Sequence, residues 1–214
     1  NVNGGNPFGT NASNPGYYRN VSNVTYSGAN VSAGTFSGGT GIIGFESGII
    51  LSTGDIASVG GPNTADDTTT NNSMPGDADL DSLIPGYTTY DASVLEFDFV
   101  PSSDVVTFEY VFGSEEYNEW VNSPFNNVFG FFINGVNCAL IPGTSTPVSI
   151  NNVNGGNPFG TNASNPGYYR NNDPDDPGPP TINTELDGLT VVLSVTANVN
   201  AGKTNHIKLA IADA

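Results

Sequence analysis

Residues 105–141 read VVTFEYVFGSEEYNEWVNSPFNNVFGFFINGVNCALI, and this stretch decides the fold class. It begins with strict alternation, because Val106, Phe108 and Tyr110 fall on one face of a predicted strand and the residues between them on the other. It ends with two apolar runs around Asn134-Gly135, a dipeptide typical of a type I′ turn, in which both central residues need a positive φ. A strand followed by a β-hairpin is therefore predicted.

The same alternation recurs at residues 94–100, 189–199 and 206–214, whereas residues 55–90 are rich in Gly, Pro, Asn and Asp. No segment has a convincing period of 3.6 residues, although a short helix near residues 78–83 fits the pattern. Many short strands separated by turn residues predict an all-β protein. The expected architecture is a jelly-roll-like β-sandwich with long acidic loops and at most one short helix.

Residues 1–20, NVNGGNPFGTNASNPGYYRN, recur letter for letter at residues 152–171. The segment has neither a strand nor a helix pattern, and two copies do not make a solenoid. We therefore expect residues 1–20 to lie outside the core and residues 21–214 to form a single β-sandwich domain.

The formal net charge is −17, from 21 acidic and only 4 basic residues. Such a surface repels phosphate backbones and anionic lipid surfaces, which argues against nucleic-acid partners and membrane binding. The longest apolar runs are far shorter than the roughly 20 residues of a membrane-spanning helix, so membrane insertion is not expected. Divalent cations are the natural counter-charge, and a purely solubilising role for the acidic residues is the alternative.

Two acidic groups are candidate calcium ligands. Asp77, Asp79 and Asp81 are spaced like the start of an EF-hand loop, but the glycine and the final glutamate of that motif are missing. Glu115 and Glu116 are adjacent, and their repulsion favours a compensating cation. A solvated acidic turn is the alternative for each group. A third acidic run, at residues 173–176, is interrupted by proline and is interpreted as a solvated linker.

The loop at residues 114–127 is the candidate ligand-binding segment, because long polar loops inside compact domains tend to carry function. Tyr117 and Trp120 are expected to provide aromatic walls, and Asn118 and Asn126 polar contacts. The chain has one histidine, His206, predicted to point outward from a strand, and no nucleophile elbow or His/Cys metal pattern. We therefore do not expect an enzyme.

The segments GIIGFESGIILSTGD, YDASVLEFDFVP, FEYVFGSEEYNEWV, FNNVFGFFING, TELDGLTVVLSV and HIKLAIADA closely resemble the bacterial choice-of-anchor L domain. They are also similar to the calcium-dependent peptide-binding domain of giant repeats-in-toxin adhesins. The resemblance covers residues 21–214. It implies an extracellular or cell-surface β-sandwich, involved in bacterial adhesion and biofilms, that binds Ca²⁺ and captures protein partners, including the C-terminal end of a peptide.

The family continues past IADA through another strand, so the resemblance implies that this domain lacks its last strand or receives it from a neighbour. A strand edge left open is a template for pairing. The sequence thus supports three hypotheses. The first is a calcium-dependent adhesion domain with a protein or peptide partner. The second is a structural subunit of an extracellular filament or matrix, assembled by strand exchange. The third is a glycan-binding or glycan-cleaving jelly-roll protein.

Overall fold

A computed structural model describes residues 21–178 and 180–214. The prediction that residues 1–20 lie outside the core therefore falls outside the described residues. The predicted all-β fold is confirmed, with one short helix, α1 (Ala78–Leu83), at the expected place. The strands are β1 (Val21–Ser27), β2 (Ala33–Ser37), β3 (Ser47–Leu51), β4 (Tyr90–Phe99), β5 (Val105–Tyr110), β6 (Gly113–Ser114), β7 (Val128–Ile133), β8 (Val136–Asn137), β9 (Tyr169–Asn171), β10 (Gly188–Thr190), β11 (Leu193–Asn198) and β12 (Asn205–Asp213).

The principal layer is a five-stranded sheet in the order β1-β4-β12-β7-β8, and every pairing in it is antiparallel. The β5–β11 and β2–β3 pairs form separate antiparallel sheets that pack against one face of this layer. The main core lies between them and contains Phe97, Phe99 and Val195. Alternation in β4, β5 and β11 points their apolar side chains into this core, as predicted from the sequence.

Strand β12 is buried on both faces. Ile207 and Leu209 point into the main core, as the alternation predicts, whereas Ala210 and Ala212 pack on the opposite face with Leu80 of α1. Alternation alone indicates one buried face for this strand, whereas the structure buries both. Small alanine side chains let the helix lie close to the sheet, and the helix closes the second face.

The hairpin β7–β8 confirms the predicted turn, because Asn134 and Gly135 have φ values of 50° and 81°. At one end of the sandwich, a third apolar cluster containing Phe112, Tyr117 and Leu193 supports a small sheet in the order β6-β10-β9. This small sheet positions the candidate site.

Candidate functional site

The small sheet brings three distant segments of the chain together. Ser114 of β6 and Asn171 of β9 both pair with Gly188 of β10, from opposite sides. Continuing the β6–β10 register by one residue places Glu115 opposite Asp187. Position 188 requires glycine, because a Cβ atom there would lie 2.6 Å from the rings of both Tyr117 and Tyr169. Antiparallel pairing, rather than sequence proximity, thus brings these carboxylates together.

Several buried oxygen atoms at this position have no hydrogen-bond partner among the residues that the structure describes. Asp187 is completely buried; its Oδ1 accepts a 2.8 Å hydrogen bond from Nδ2 of Asn63, but its Oδ2 accepts none from the described residues. Within the same part of the chain, neither carboxylate oxygen of Glu115 has a partner, and the Oδ1 of Asn63 has none either. Buried acceptors without donors are unfavourable unless a cation, a proton or water satisfies them.

The electrostatics of the cluster disfavour the charged forms of these carboxylates in the absence of a cation. Burial raises the pKa of Asp187 to about 9, although the hydrogen bond from Asn63 acts to lower this pKa. The nearby Glu115 carboxylate raises it further. Burial also raises the pKa of Glu115 to about 8, helped by the nearby carboxylates of Glu185 and Glu116. The backbone amide of Thr68 lies close enough to lower the pKa of Glu115 in part, but it does not form a well-aligned hydrogen bond.

The loop before α1 covers the cluster and is tied to it by hydrogen bonds. The Glu185 carboxylate accepts hydrogen bonds from the backbone amide of Thr64 at 3.2 Å and from the hydroxyls of Thr64 and Thr68, each at 3.0 Å. Asn63 donates from Nδ2 to the carbonyl of Asn172 at 2.8 Å as well as to Asp187. The loop that sequence analysis treated as irregular therefore supplies part of the site.

The predicted ligand Glu116 lies beside Glu115 in sequence but faces a different set of partners. Its carboxylate accepts hydrogen bonds from Ser114 and Asn127. Burial raises its pKa to about 7, and the Asp213 carboxylate contributes to the increase. Glu116 is thus paired with donors, whereas Glu115 is not.

The other predicted ligand group, Asp77, Asp79 and Asp81, has a structural role in the described chain. Asp77 caps α1 by accepting from the amides of Asp79 and Leu80. Nζ of Lys208 lies 2.7 Å from an oxygen of Asp77 and 2.6 Å from one of Asp79. Asp81 accepts from the amide and hydroxyl of Thr89, both at 2.7 Å. These carboxylates therefore have protein partners, and none of the contacts joins them to Glu115.

Of the four residues predicted to bind a ligand, three are buried within the protein and one, Trp120, is exposed to solvent. Tyr117, Asn118 and Asn126 are buried, so they hold the loop rather than face solvent, which differs from the aromatic pocket expected for Tyr117. Asn118, for example, donates from Nδ2 to Asp176 at 2.7 Å and from its backbone amide to Asp173 at 3.1 Å. Trp120 is 46% exposed and lies near the ring of Phe125.

The interpretation of residues 173–176 as solvated linker is wrong for Asp173. This residue is buried, and its Oδ1 accepts from the amides of Asp175 and Asp176 at 2.7 and 3.3 Å. Sequence reasoning also missed Asp187 and Asn63. The Asp187-Gly188 pair was the only local indication of a special position there. Nothing in the sequence shows which strand Asp187 faces.

A hard cation that prefers oxygen ligands fits the unpartnered atoms. Ca²⁺ takes six to eight oxygens from carboxylates, amide carbonyls and water, and Glu115, Asp187 and Asn63 offer acceptors of these kinds. No group of three or more His, Cys, Asp or Glu side chains in residues 21–178 and 180–214 is arranged to hold a metal ion. A cation here would therefore rely on two carboxylates together with amide, backbone or water oxygens.

Fold and site together define an all-β domain with a buried cluster of carboxylates between its strand ends and loops. The chain belongs to the choice-of-anchor L domain family, whose sequence model matches residues 11–214. This membership places it among extracellular, surface-associated domains. No curated protein and no solved structure matches the chain. The helices in the described part of the chain are too short or too polar to span a bilayer.

Proposed function

We propose that this chain is a calcium-dependent, non-catalytic binding domain that captures a protein or peptide partner outside the cell. The observation that carries the proposal is the pair Glu115 and Asp187, whose unpartnered carboxylate oxygens share one buried position. Ca²⁺ would satisfy these oxygens and remove the repulsion between the two charges. Asp77, Asp79, Asp81 and Glu116, predicted as ligands from the sequence, are replaced in this proposal by Asp187 and Asn63.

The partner would approach from the side of Glu119, which is exposed and whose charge acts on both Glu115 and Asp187, and of the exposed Trp120 that follows it in the chain. Ca²⁺ keeps coordination positions for incoming oxygen ligands, so a carboxylate at the C-terminal end of a peptide could bind the ion directly. The exposed Trp120 ring would add apolar contact area to such a complex. The strongly negative net charge makes direct capture of a carboxylate unfavourable without the ion.

The first experiment measures calcium binding by calorimetry and by thermal unfolding, with and without chelator. Asp187→Asn and Glu115→Gln each keep the shape of the side chain and remove one charge, so both should reduce calcium affinity and the calcium-induced increase in Tm. Asp79→Asn is the matched control, because it removes a charge on α1 outside the cluster. Magnesium should substitute poorly. If calcium leaves the melting curve of the unaltered chain unchanged, the cation site does not exist.

The second experiment compares free-acid and C-terminally amidated versions of the same peptides, with calcium present. Amidation removes the terminal charge, so the free acids should bind more tightly. Equal binding of the two forms would show that any calcium present is structural and does not contact the partner.

A second function, that of a filament or matrix subunit, is favoured by β1. Among the described residues, this strand lies at the edge of the five-stranded sheet; it is exposed at every residue and reads VSNVTYS without a charge. Edge strands are normally protected by charged residues, proline or bulges; β1 has no charge or proline, and one irregularity between Ser22 and Thr25 is its only such device. A subunit assembled by strand pairing should sediment as large, concentration-dependent species, whereas a binding domain should sediment as a monomer.

A further inference from the structure

A second surface feature lies outside the carboxylate cluster: an open groove with a volume of about 800 Å³. It is formed where the loop at residues 122–125 meets the segment between α1 and β4, next to Ala214. Its walls are tied together, because Asn151 donates from Nδ2 to the Tyr87 hydroxyl at 3.2 Å and the amide of Asn126 donates to the Ala214 carbonyl at 2.8 Å. These hydrogen bonds hold the two sides of the open groove in place.

Aromatic side chains are exposed at this groove. Tyr90 is 58% exposed and Phe125 45% exposed, and both line it. Trp120 packs edge-to-face on Phe125, with ring centroids 4.9 Å apart, and extends the apolar surface beyond the groove. Exposed aromatic rings grouped in this way are unfavourable in water and are typical of binding sites.

The side chains that line the groove are also uncharged, in a chain with a net charge of −17. None of the nine described residues that line it has a charged side chain. The polar side-chain groups in the lining are the hydroxyls of Tyr87, Thr88, Tyr90 and Ser123 and the amide of Asn122. A charged ligand gains no pairing here, whereas a neutral ligand with an apolar face and many hydroxyl groups matches both the rings and the polar groups.

We infer that this groove binds a neutral saccharide, through stacking of a sugar ring on Tyr90 or Phe125 and hydrogen bonds to the polar lining. The inference goes beyond the calcium-dependent capture of a peptide proposed above. Neither Glu115 nor Asp187 lines the groove, so the two sites can be tested separately. A saccharide is also a suitable ligand for a surface-associated domain. An apolar peptide segment would first have to be exposed from the interior of a partner protein, whereas a saccharide would not.

The test is calorimetry on the full chain with a panel of neutral oligosaccharides, such as maltohexaose, cellohexaose and mannohexaose, and with an oligogalacturonate as a charged contrast. At least one neutral oligosaccharide should bind saturably, and the charged one should not. Tyr90→Ala removes the most exposed ring and should lower the affinity about tenfold, the effect of losing one stacking contact. Tyr90→Phe, which keeps the ring, should bind nearly as well as the unaltered chain.

Two further variants test whether the saccharide binds in this groove and independently of calcium. Val136→Ala alters an exposed apolar residue in a different groove and should leave saccharide binding unchanged. Asp187→Asn should also retain it, even if that variant loses calcium, so failure of the calcium proposal would not affect this one. The inference is overturned if no neutral oligosaccharide binds or if Tyr90→Ala leaves the affinity for the oligosaccharide unchanged. It is also overturned if the groove binds peptides but no oligosaccharide.

Discussion

The Asn63 side chain donates a 2.8 Å hydrogen bond to Asp187, a residue 124 positions later in the chain, and both residues are buried. The bond satisfies one oxygen of Asp187. Its other oxygen and the amide oxygen of Asn63 have no hydrogen-bond partner in the described residues. A neutral donor beside a buried carboxylate only partly offsets the free-energy cost of removing that carboxylate from water.

The stability of the metal-free protein should depend on pH with an unusual sign. Asp187 and Glu115 have folded-state pKa values raised to about 9 and about 8, against roughly 4 in the unfolded chain. Between these values the folded state binds more protons than the unfolded state, so the free energy of unfolding should fall as pH rises from about 4 to about 8. Thermal unfolding in chelator across this range checks the slope. Calcium should reverse the loss at high pH, since the ion binds the deprotonated carboxylates.

Trp120 should report on calcium binding. It is the only tryptophan in the chain, and it lies next to Glu119, near the carboxylate cluster. Ordering of this loop by the ion should change the emission of the exposed indole, and a free-acid peptide should change it further. Titration with Asp187→Asn provides the control. A calcium response that survives in that variant would place the ion elsewhere.

Helix α1 should be essential for the second face of the five-stranded sheet. Leu80 is completely buried against Val94, Phe132 and the alanines of β12. Leu80→Ala should lower the free energy of unfolding by about 2–5 kcal/mol, the usual cost of a large core truncation. Leu83→Ala, at a partly buried position of the same helix, should cost less. Denaturant unfolding measures both, and equal losses would show that α1 is not a packed element.

Lys208 should stabilise the start of α1. Its ammonium group is mostly buried and pairs with Asp77 and Asp79, and its Nζ lies over the Phe132 ring, 5.7 Å from the ring centroid. Lys208→Met keeps the apolar stem but leaves the Asp77 carboxylate without its cation. The loss in the free energy of unfolding, measured by denaturant titration, should be about 1–3 kcal/mol. Glu109→Gln, at an exposed position of β5, is the control and should be nearly neutral.

The two copies of the duplicated segment should differ in importance. Asn154, in the second copy, is completely buried; its side chain donates to the Ile150 carbonyl and accepts from the amides of Gly156 and Ser164. Asn154→Ala should therefore cost about 2–4 kcal/mol of stability in thermal or denaturant unfolding. Asn3 is the equivalent residue of the first copy, and Asn3→Ala should have no effect if residues 1–20 lie outside the core. Equal effects of the two substitutions would contradict that expectation.

Alternation and turn chemistry are local properties, so the longer strands β4, β5, β7 and β12, the β7–β8 turn and the short helix could be predicted from the sequence. The run at residues 189–199 was predicted as one strand but forms β10 and β11 in different sheets, and β9 lies in the repeated segment that has no strand pattern. The spacing of residues such as Phe97 and Val106 indicates their burial, and the dipeptide Asn134-Gly135 indicates positive φ values. The acidic character of the loops was also evident from composition, and it led to the calcium hypothesis.

Which acidic residues lie close together depends on the tertiary structure and not on the local sequence. Asp77 and Asp79 form the more regular motif, but both pair with Lys208, which is 129 or more residues away. Asp187 has no motif, and it faces Glu115 only because β6 and β10 pair in one register. Non-local strand pairing sets such contacts, and a shift of one residue would turn every side chain to the other face. No local pattern encodes that register.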